Sequence, residues 1–118
     1  HRRYISVDGG MSDNIRPSLY GAEYTTILAN RTSAAKKTSS RLVGKHCETG
    51  DIIIREIDLP EDIVPGDLLA VPATGAYGRS MASNYNHVPR PSVVAVKDGK
   101  ARVIVRRESI EDLLALDI

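Results

Sequence analysis

A single cysteine lies in a polar segment whose neighbours could adapt it for chemistry. The segment Gly44–Asp51 reads G-K-H-C-E-T-G-D and places Cys47 between His46 and Glu48. Loops held between rigid strands commonly carry reactive groups. Nearby cations lower the pKa of a thiol and a neighbouring carboxylate raises it, so the sequence leaves the ionisation of this thiol open. Two interpretations follow: a reactive thiol, or a small buried apolar side chain.

One arginine and two tyrosines are further candidates for binding a ligand. Arg16 precedes Pro17 in a glycine-flanked stretch, where its guanidinium could bind a carboxylate or a phosphate through paired hydrogen bonds. Tyr20 and Tyr77 could line such a site, but in a chain without Trp or Phe a tyrosine is also useful bulk for the core. The three histidines lack the spacing of metal ligands, so we predict no metal site.

Short strands separated by turns must position these residues. Pro65-Gly66 has the order that a type II turn requires, and Asp98-Gly99 is typical of a type I′ hairpin turn. Ser109, with an acidic residue three positions later, indicates the start of a short C-terminal helix. Segments with strand character are Tyr4–Val7, Tyr24–Ala29, Leu42–Val43, Ile52–Ile54, Leu68–Val71, Val93–Val96 and Ala101–Arg106.

Two segments have no such pattern. Met11–Tyr20 is predicted to be irregular, with Arg16 driven toward extended geometry by the proline that follows it. Asn30–Arg41 is small and polar without an apolar period, and is predicted to be a mobile loop. We therefore predict a mostly β fold, a β-barrel or a sandwich, with one short helix at the C-terminal end.

Composition bounds the function. With 118 residues the chain is one domain by size, and its net charge of +1 gives no basic field for nucleic acid or for a membrane surface. One cysteine excludes an internal disulfide and fits a reducing, cytoplasmic compartment. The first residues contain no initiator Met and run straight into an apolar strand, so we expect the chain to be part of a longer protein.

Several segments, taken together, resemble diaminopimelate decarboxylase, a pyridoxal-phosphate enzyme of the ornithine, lysine and arginine decarboxylase class. The resemblance covers nearly the whole chain, as the C-terminal domain of that enzyme. It is carried, in order and at similar separations, by Val7–Gly21, Gly44–Asp51, Pro65–Val71, Ala73–Tyr77 and Arg106–Leu114.

The resemblance implies a particular architecture and reaction. The family pairs a (β/α)8 barrel, which holds pyridoxal 5′-phosphate, with a C-terminal β-domain of the alanine-racemase-like type, and it acts as a homodimer. It converts meso-diaminopimelate to L-lysine and carbon dioxide. Residues 1–118 would be that β-domain, without the barrel and its cofactor lysine, so we expect the chain to be inactive alone.

The resemblance also implies roles for five residues. Cys47 is similar to the thiol that reaches into the partner subunit's site and donates a proton after carbon dioxide leaves. Glu48 matches the residue that meets the distal ammonium of the substrate, while Arg16 and Tyr20 match residues that bind its distal carboxylate. Tyr77 matches a tyrosine near the substrate, the cofactor and the cofactor's phosphate.

Two other functions are compatible with the residues. The chain could be a stand-alone β-domain that serves as an interaction module, or the same family could act here on another carboxylated diamine. The sequence encoded upstream of His1 would separate the first alternative from an enzyme, and the turnover of competing substrates would separate the second.

Overall fold

A computed structural model of the chain describes residues 2–118, which form seven strands, three short α-helices and one 3-10 turn at Tyr85–His87. The helices are α1 (Arg16–Tyr20), α2 (Gly75–Met81) and α3 (Ile110–Leu113). The strands are β1 (Arg3–Ser6), β2 (Ile27–Leu28), β3 (Lys37–Val43), β4 (Ile52–Pro60), β5 (Leu69–Ala70), β6 (Val93–Lys97) and β7 (Lys100–Val105).

The strands form three separate sheets. β3 is the centre of the main sheet, with β1 parallel on one side and β4 antiparallel on the other. β2 pairs with β5, and β6 pairs with β7, each as an antiparallel ribbon of two strands. The prediction of a mostly β chain with a short C-terminal helix is confirmed, but two further short helices, α1 and α2, were not predicted. Residues 2–118 form no closed barrel, and the barrel or sandwich stays a prediction.

The core is small and is formed by side chains of β3 and β4. Its buried apolar side chains are Leu42, Ile54 and Leu59, and Leu42 pairs with Ile54 across the two strands. Burial alternates along β3 because successive side chains of a strand point to opposite faces. This rigid pair of strands carries, at one end, the connection Gly44–Asp51.

Much of the apolar surface of the chain is uncovered. Side chains as large as Ile27, Val96 and Leu116 are 61%, 73% and 93% exposed. The radius of gyration is 15.6 Å, whereas a compact domain of this length has about 13.5 Å. Extensive exposed apolar surface is typical of a face that another polypeptide segment covers.

Two predictions about irregular segments are wrong. Within Met11–Tyr20 the structure has helix α1, with Arg16 as its first residue rather than in extended geometry. A proline is accepted in the first turn of a helix, because the N–H that it lacks would have no intrahelical partner there. Gly21 ends α1 in the left-handed region at φ 66°, and its N–H donates to the carbonyl of Pro17.

Asn30–Arg41 is not the mobile loop that its composition predicts. Strand β3 already begins at Lys37, which pairs with Pro60 of β4. Before it, Arg31 donates hydrogen bonds to both carboxylate oxygens of Asp67, at 2.8 and 2.7 Å. Pairing with a neighbouring strand outweighs local composition here.

The turns predicted from glycine positions and the helix start predicted from its capping residues are confirmed. Gly66 has φ 97°, as the third residue of a type II turn requires, and Asp98 and Gly99 have φ 51° and 69°, as a type I′ turn requires. Ser109 and Asp112 form a reciprocal capping box at the start of α3. The predicted strands Tyr24–Ala29 and Leu68–Val71 are reduced to the pairs β2 and β5, and Ile52–Ile54 is extended to Pro60.

Candidate active site

A buried carboxylate organises the segment Gly44–Asp51, which we call the cysteine loop. The carboxylate of Asp51, whose residue is only 3% exposed, accepts a hydrogen bond from the backbone N–H of His46 at 2.7 Å. Its other oxygen accepts from the N–H of Met11, also at 2.7 Å. The loop closes where the N–H of Gly44 donates to the carbonyl of Asp51 at 3.0 Å. The loop is therefore held by a buried charge that backbone donors satisfy.

Two glycines make room for that carboxylate. A Cβ on Gly44 would lie 2.3–2.5 Å from the carboxyl atoms of Asp51. A Cβ on Gly10 would lie 2.9 Å from the ring of His46 and 3.0 Å from Asp51. The structure therefore requires glycine at both positions for the close approach of the backbone to Asp51.

His46 anchors the loop from inside. It is 9% exposed, and its Nε2 lies 2.8 Å from the hydroxyl oxygen of Ser12. Its ring meets that of Tyr85 edge-on, with the ring centroids 5.3 Å apart. With His46 buried, the two residues that follow it, Cys47 and Glu48, are exposed. The structure thus displays the thiol, and the interpretation of Cys47 as a buried apolar side chain is wrong.

Glu48 has a partner that the sequence does not indicate. The hydroxyl of Tyr85 donates a short hydrogen bond to Oε1 of Glu48. That hydrogen bond and the loss of solvent around the phenol raise the pKa of Tyr85. The two residues are 37 positions apart, and nothing in the surrounding Ser83–Asn86 distinguishes this tyrosine from bulk for the core.

The structure brings together two of the predicted site residues, Arg16 and Tyr77. The guanidinium carbon of Arg16 lies 5.7 Å from the centroid of the Tyr77 ring, in range of a cation–π interaction. Nη1 of Arg16 also donates to the hydroxyl of Tyr24 at 3.2 Å. Arg16 and Tyr24 line a surface groove of about 350 Å³ together with Pro72. Tyr24 was missed because its position in a predicted strand gave no sign of this contact.

Tyr20 lies one helical turn from Arg16, at the end of α1, and is 64% exposed. Residues four apart share one face of a helix, so both side chains belong to the same side of α1. The cysteine loop packs against this helix closely enough that a Cβ on Gly50 would lie 2.9 Å from the hydroxyl of Ser18. Helix α1 therefore connects the predicted carboxylate-binding side chains to the loop that carries Cys47.

A larger cleft of about 1020 Å³ lies beside the free edge of β1. Its walls come mainly from residues 3–10, 63–69 and 91–93, and none of the five predicted site residues lines it. Within residues 2–118, no three His, Cys, Asp or Glu side chains are grouped so that they could hold a metal ion. Across the same residues, no helix has the length and apolar character needed to cross a bilayer.

The site combines groups with complementary preferences. A carboxylate such as Glu48 binds an ammonium group, and a guanidinium such as Arg16 binds a carboxylate. An amino acid presents both.

A sequence comparison adds the family: residues 1–75 match the model of the pyridoxal-dependent decarboxylase C-terminal sheet domain. The chain belongs to this family. The match to the C-terminal sheet domain contains Arg16, Tyr20, Cys47 and Glu48, and ends two residues before Tyr77.

Individual relatives show which enzymes among the pyridoxal-dependent decarboxylases the chain resembles. The chain is 61% identical over all 118 of its residues to a diaminopimelate decarboxylase of Mycobacterium tuberculosis, and 55% identical over 117 residues to one of Bacillus subtilis. It spans about a quarter (26%) of the length of each. A crystal structure of diaminopimelate decarboxylase from Helicobacter pylori complexed with L-lysine superimposes with a TM-score of 0.88 at 40% identity, over 98% of this chain and 28% of that one. The resemblance to the C-terminal domain of diaminopimelate decarboxylase is confirmed.

Proposed function

We propose that the chain is the C-terminal domain of a diaminopimelate decarboxylase that converts meso-diaminopimelate to L-lysine and carbon dioxide in lysine biosynthesis. The observation that carries the proposal is the exposed Cys47–Glu48 pair on a loop that packs against the helix of Arg16. An acid and an anion on the loop and a cation on the helix against which the loop packs would suit a substrate with two amino-acid ends. The diaminopimelate decarboxylases that match over the full chain support the same assignment.

The proposed cofactor is pyridoxal phosphate, held mainly by a (β/α)8 barrel in the rest of the protein. When bound, the cofactor withdraws electrons from the reacting carbon of the amino acid. The exposed ring of Tyr77, 58% accessible and backed by Arg16, fits a residue that forms part of the wall around such a group. Its hydroxyl is the part of this chain that we assign to the phosphate end.

In this proposal Cys47 acts as the general acid. After the carboxylate leaves as carbon dioxide, the Sγ–H bond breaks, the proton forms a new C–H bond at that carbon, and the electron pair stays on sulfur as a thiolate. Exposure of Cys47 supports the role, because a side chain that nothing in this chain covers is available to enter a site formed by another polypeptide segment. We also propose a reducing, cytoplasmic location, since the reaction needs this cysteine as a free thiol.

The other residues select the substrate. Glu48 accepts hydrogen bonds from the distal ammonium, and Arg16 and Tyr20 bind the distal carboxylate. Their shared face on α1 supports a joint role for the two. Tyr77 contacts the substrate as well as the cofactor. Ornithine and arginine lack a distal carboxylate, so Arg16 would find no partner in them.

We further propose that the rest of the protein covers the exposed apolar surface and that two copies form the homodimer in which Cys47 enters the partner's site. Uncovered side chains on β6 and β7, such as Val96 and Val103 at 73% and 59% exposed, support such a covering. In that assembly the three sheets would form the β-barrel or sandwich of the C-terminal domain, residues 1–118. The chain alone would neither bind the cofactor covalently nor decarboxylate.

Substrate competition tests the proposal. The full-length protein should release carbon dioxide from meso-diaminopimelate and leave L-lysine. Ornithine and arginine should be turned over at least about 10²-fold less efficiently, because a site whose polar groups are left unpaired rejects an analogue by up to about 10⁴–10⁵-fold. Faster turnover of ornithine or arginine would contradict the substrate assignment. A stoichiometric absorption band of pyridoxal phosphate bound to one lysine of the isolated chain would contradict its predicted inactivity.

A further inference from the structure

We propose that Tyr85 is a positioning residue for substrate specificity: it fixes the carboxylate of Glu48 so that one oxygen faces the distal ammonium of the substrate. The inference rests on the proposed function, and deepens it by adding a residue that selects the amino end of the substrate. It concerns how Glu48 is held, not whether Cys47 donates the proton.

The geometry forms a continuous chain of contacts from the interior to the rim. Ser12 is 2% exposed and lies 2.8 Å from Nε2 of the buried His46. His46 meets the Tyr85 ring edge-on, and the Tyr85 hydroxyl donates to Oε1 of Glu48. An exposed Glu would otherwise sample several rotamers, so a fixed donor restricts where its charge lies.

The hydrogen bond leaves Glu48 able to bind a ligand. An ionised carboxylate has two oxygens that accept hydrogen bonds and has no donor. Tyr85 donates to Oε1, and no other group within residues 2–118 donates to the carboxylate of Glu48, so Oε2 can accept a hydrogen bond from an ammonium group. A phenol is protonated at neutral pH, and the hydrogen bond to Glu48 raises the pKa of Tyr85 further, so Tyr85 is the donor of this hydrogen bond.

The turn that presents Tyr85 is itself well anchored. Its next two residues, Asn86 and His87, have φ 55° and 56°, a region that residues other than glycine seldom adopt. Asn84 holds the turn by donating from Nδ2 to Glu108 at 2.6 Å and to the carbonyl of Val88 at 3.2 Å. Asn and His enter this region more readily than most other residues, and the two hydrogen bonds from Asn84 hold the turn in place.

Steady-state kinetics of the full-length enzyme test the inference. Tyr85→Phe keeps the ring against His46 and removes only the hydroxyl, so KM for meso-diaminopimelate should rise about 10-fold, the effect of losing a hydrogen bond to a charged group, with kcat within about 3-fold of wild type. Tyr4→Phe is the matched control, because the hydroxyl of Tyr4 lies on β1 beside Arg2 and should leave both constants unchanged. In a Glu48→Gln background, which itself raises KM, Tyr85→Phe should add less than about 2-fold.

The outcomes are distinguishable. A raised KM in Glu48→Gln with an unchanged KM in Tyr85→Phe would overturn the positioning role and leave the proposed function intact. Fully additive effects in the double variant would also overturn it. An unchanged KM in Glu48→Gln would contradict the role of Glu48 and, with it, this inference.

A second substrate separates positioning from folding. With 2-aminopimelate, which lacks the distal amino group, Tyr85→Phe and wild type should have the same kcat/KM, because there is no ammonium for Glu48 to meet. An equal loss of kcat/KM for both substrates would indicate damage to the loop as a whole, and would overturn the inference.

Discussion

The backbone N–H of His46 donates to the buried carboxylate of Asp51 at 2.7 Å, across the neck of the cysteine loop. This contact turns His46 inward against Ser12 and leaves the next residue, Cys47, on the surface. The position of the thiol is thus set by a charge that takes no part in the proposed reaction.

Gly44→Ala should destabilise the protein, because the added Cβ would lie 2.3–2.5 Å from the Asp51 carboxyl group and the loop would have to shift. We expect the free energy of unfolding to fall by about 1–3 kcal/mol, as for other cases of overpacking. Gly75→Ala is the matched control, because the same methyl group meets no atom within 4 Å at the start of α2. Urea denaturation compares the two, and equal stabilities would contradict the tight fit around Asp51.

Arg16→Lys should raise KM for meso-diaminopimelate by about 10-fold or more, because an ammonium group cannot reproduce the planar fork that binds a carboxylate. The change in kcat should be smaller, since Arg16 is assigned to binding. Arg41→Lys alters a similar pair on β3 and β1, with the guanidinium carbon 5.9 Å from the Tyr4 ring centroid, and Arg41 is not among the predicted site residues. Steady-state kinetics should show no effect of this control. A KM that both substitutions leave unchanged would exclude Arg16 from the substrate site.

The Arg31–Asp67 pair should make stability depend on pH in the acid range. Hydrogen bonds from Arg31 and from the N–H of Val64 hold the pKa of Asp67 well below its usual value. A carboxyl whose pKa is depressed in the folded state stabilises that state above its unfolded pKa, and this contribution is lost as the pH falls through the folded value. Asp67→Asn should therefore be less stable than wild type at pH 7, and the difference should shrink below about pH 4.

Asp58→Asn, at an exposed position on β4, provides the control for that experiment. Its stability should follow that of wild type across the same range. Urea denaturation at several pH values gives the free energies. A constant difference between wild type and Asp67→Asn down to pH 2 would show that ionisation of Asp67 is not what stabilises this corner of the fold.

What the sequence predicts well is local. The left-handed residues of the Asp98-Gly99 turn and the capping box of Ser109 depend on neighbours in the chain, so their chemistry is visible in the letters. Strand β3 is different: Lys37–Arg41 are polar, and they become a strand only because β4 offers backbone partners that lie about twenty residues away. Helix α1 has Pro17 in its first turn and ends at Gly21. In the sequence each of these residues, taken alone, indicates a break rather than a short helix.

The candidate site divides in the same way. Cys47 and Glu48 are adjacent, and their polar, glycine-bounded segment marks them in the sequence. Tyr85 is 37 positions from Glu48 and reaches it only through the fold. Asp51 was visible as the last residue of a motif, but its burial and its hydrogen bonds to two backbone N–H groups depend on the approach of Gly10–Met11. Contacts between residues that are far apart in the chain depend on the fold and leave no local signal in the sequence.

Cys47→Ala should lower kcat by about 10²-fold, the usual effect of losing a general acid, while KM changes little. Cys47→Ser is the informative companion, since its hydroxyl has similar size but is a much weaker acid, and its kcat should also fall well below wild type. Carbon dioxide release measures both variants. If both retained wild-type kcat, the thiol would have no part in proton transfer.

A mixed dimer shows whether this chain completes an active site in the partner subunit. One protomer carries Cys47→Ala and the other has its cofactor lysine in the barrel replaced by alanine; the heterodimer is isolated with two different affinity tags. If Cys47 acts in the partner's site, one of the two sites is intact, and the heterodimer should have about half the wild-type activity per dimer. If Cys47 acts within its own subunit, both sites of the heterodimer are defective. Activity no higher than that of the parent homodimers would therefore contradict the proposed role of Cys47 in the partner's site.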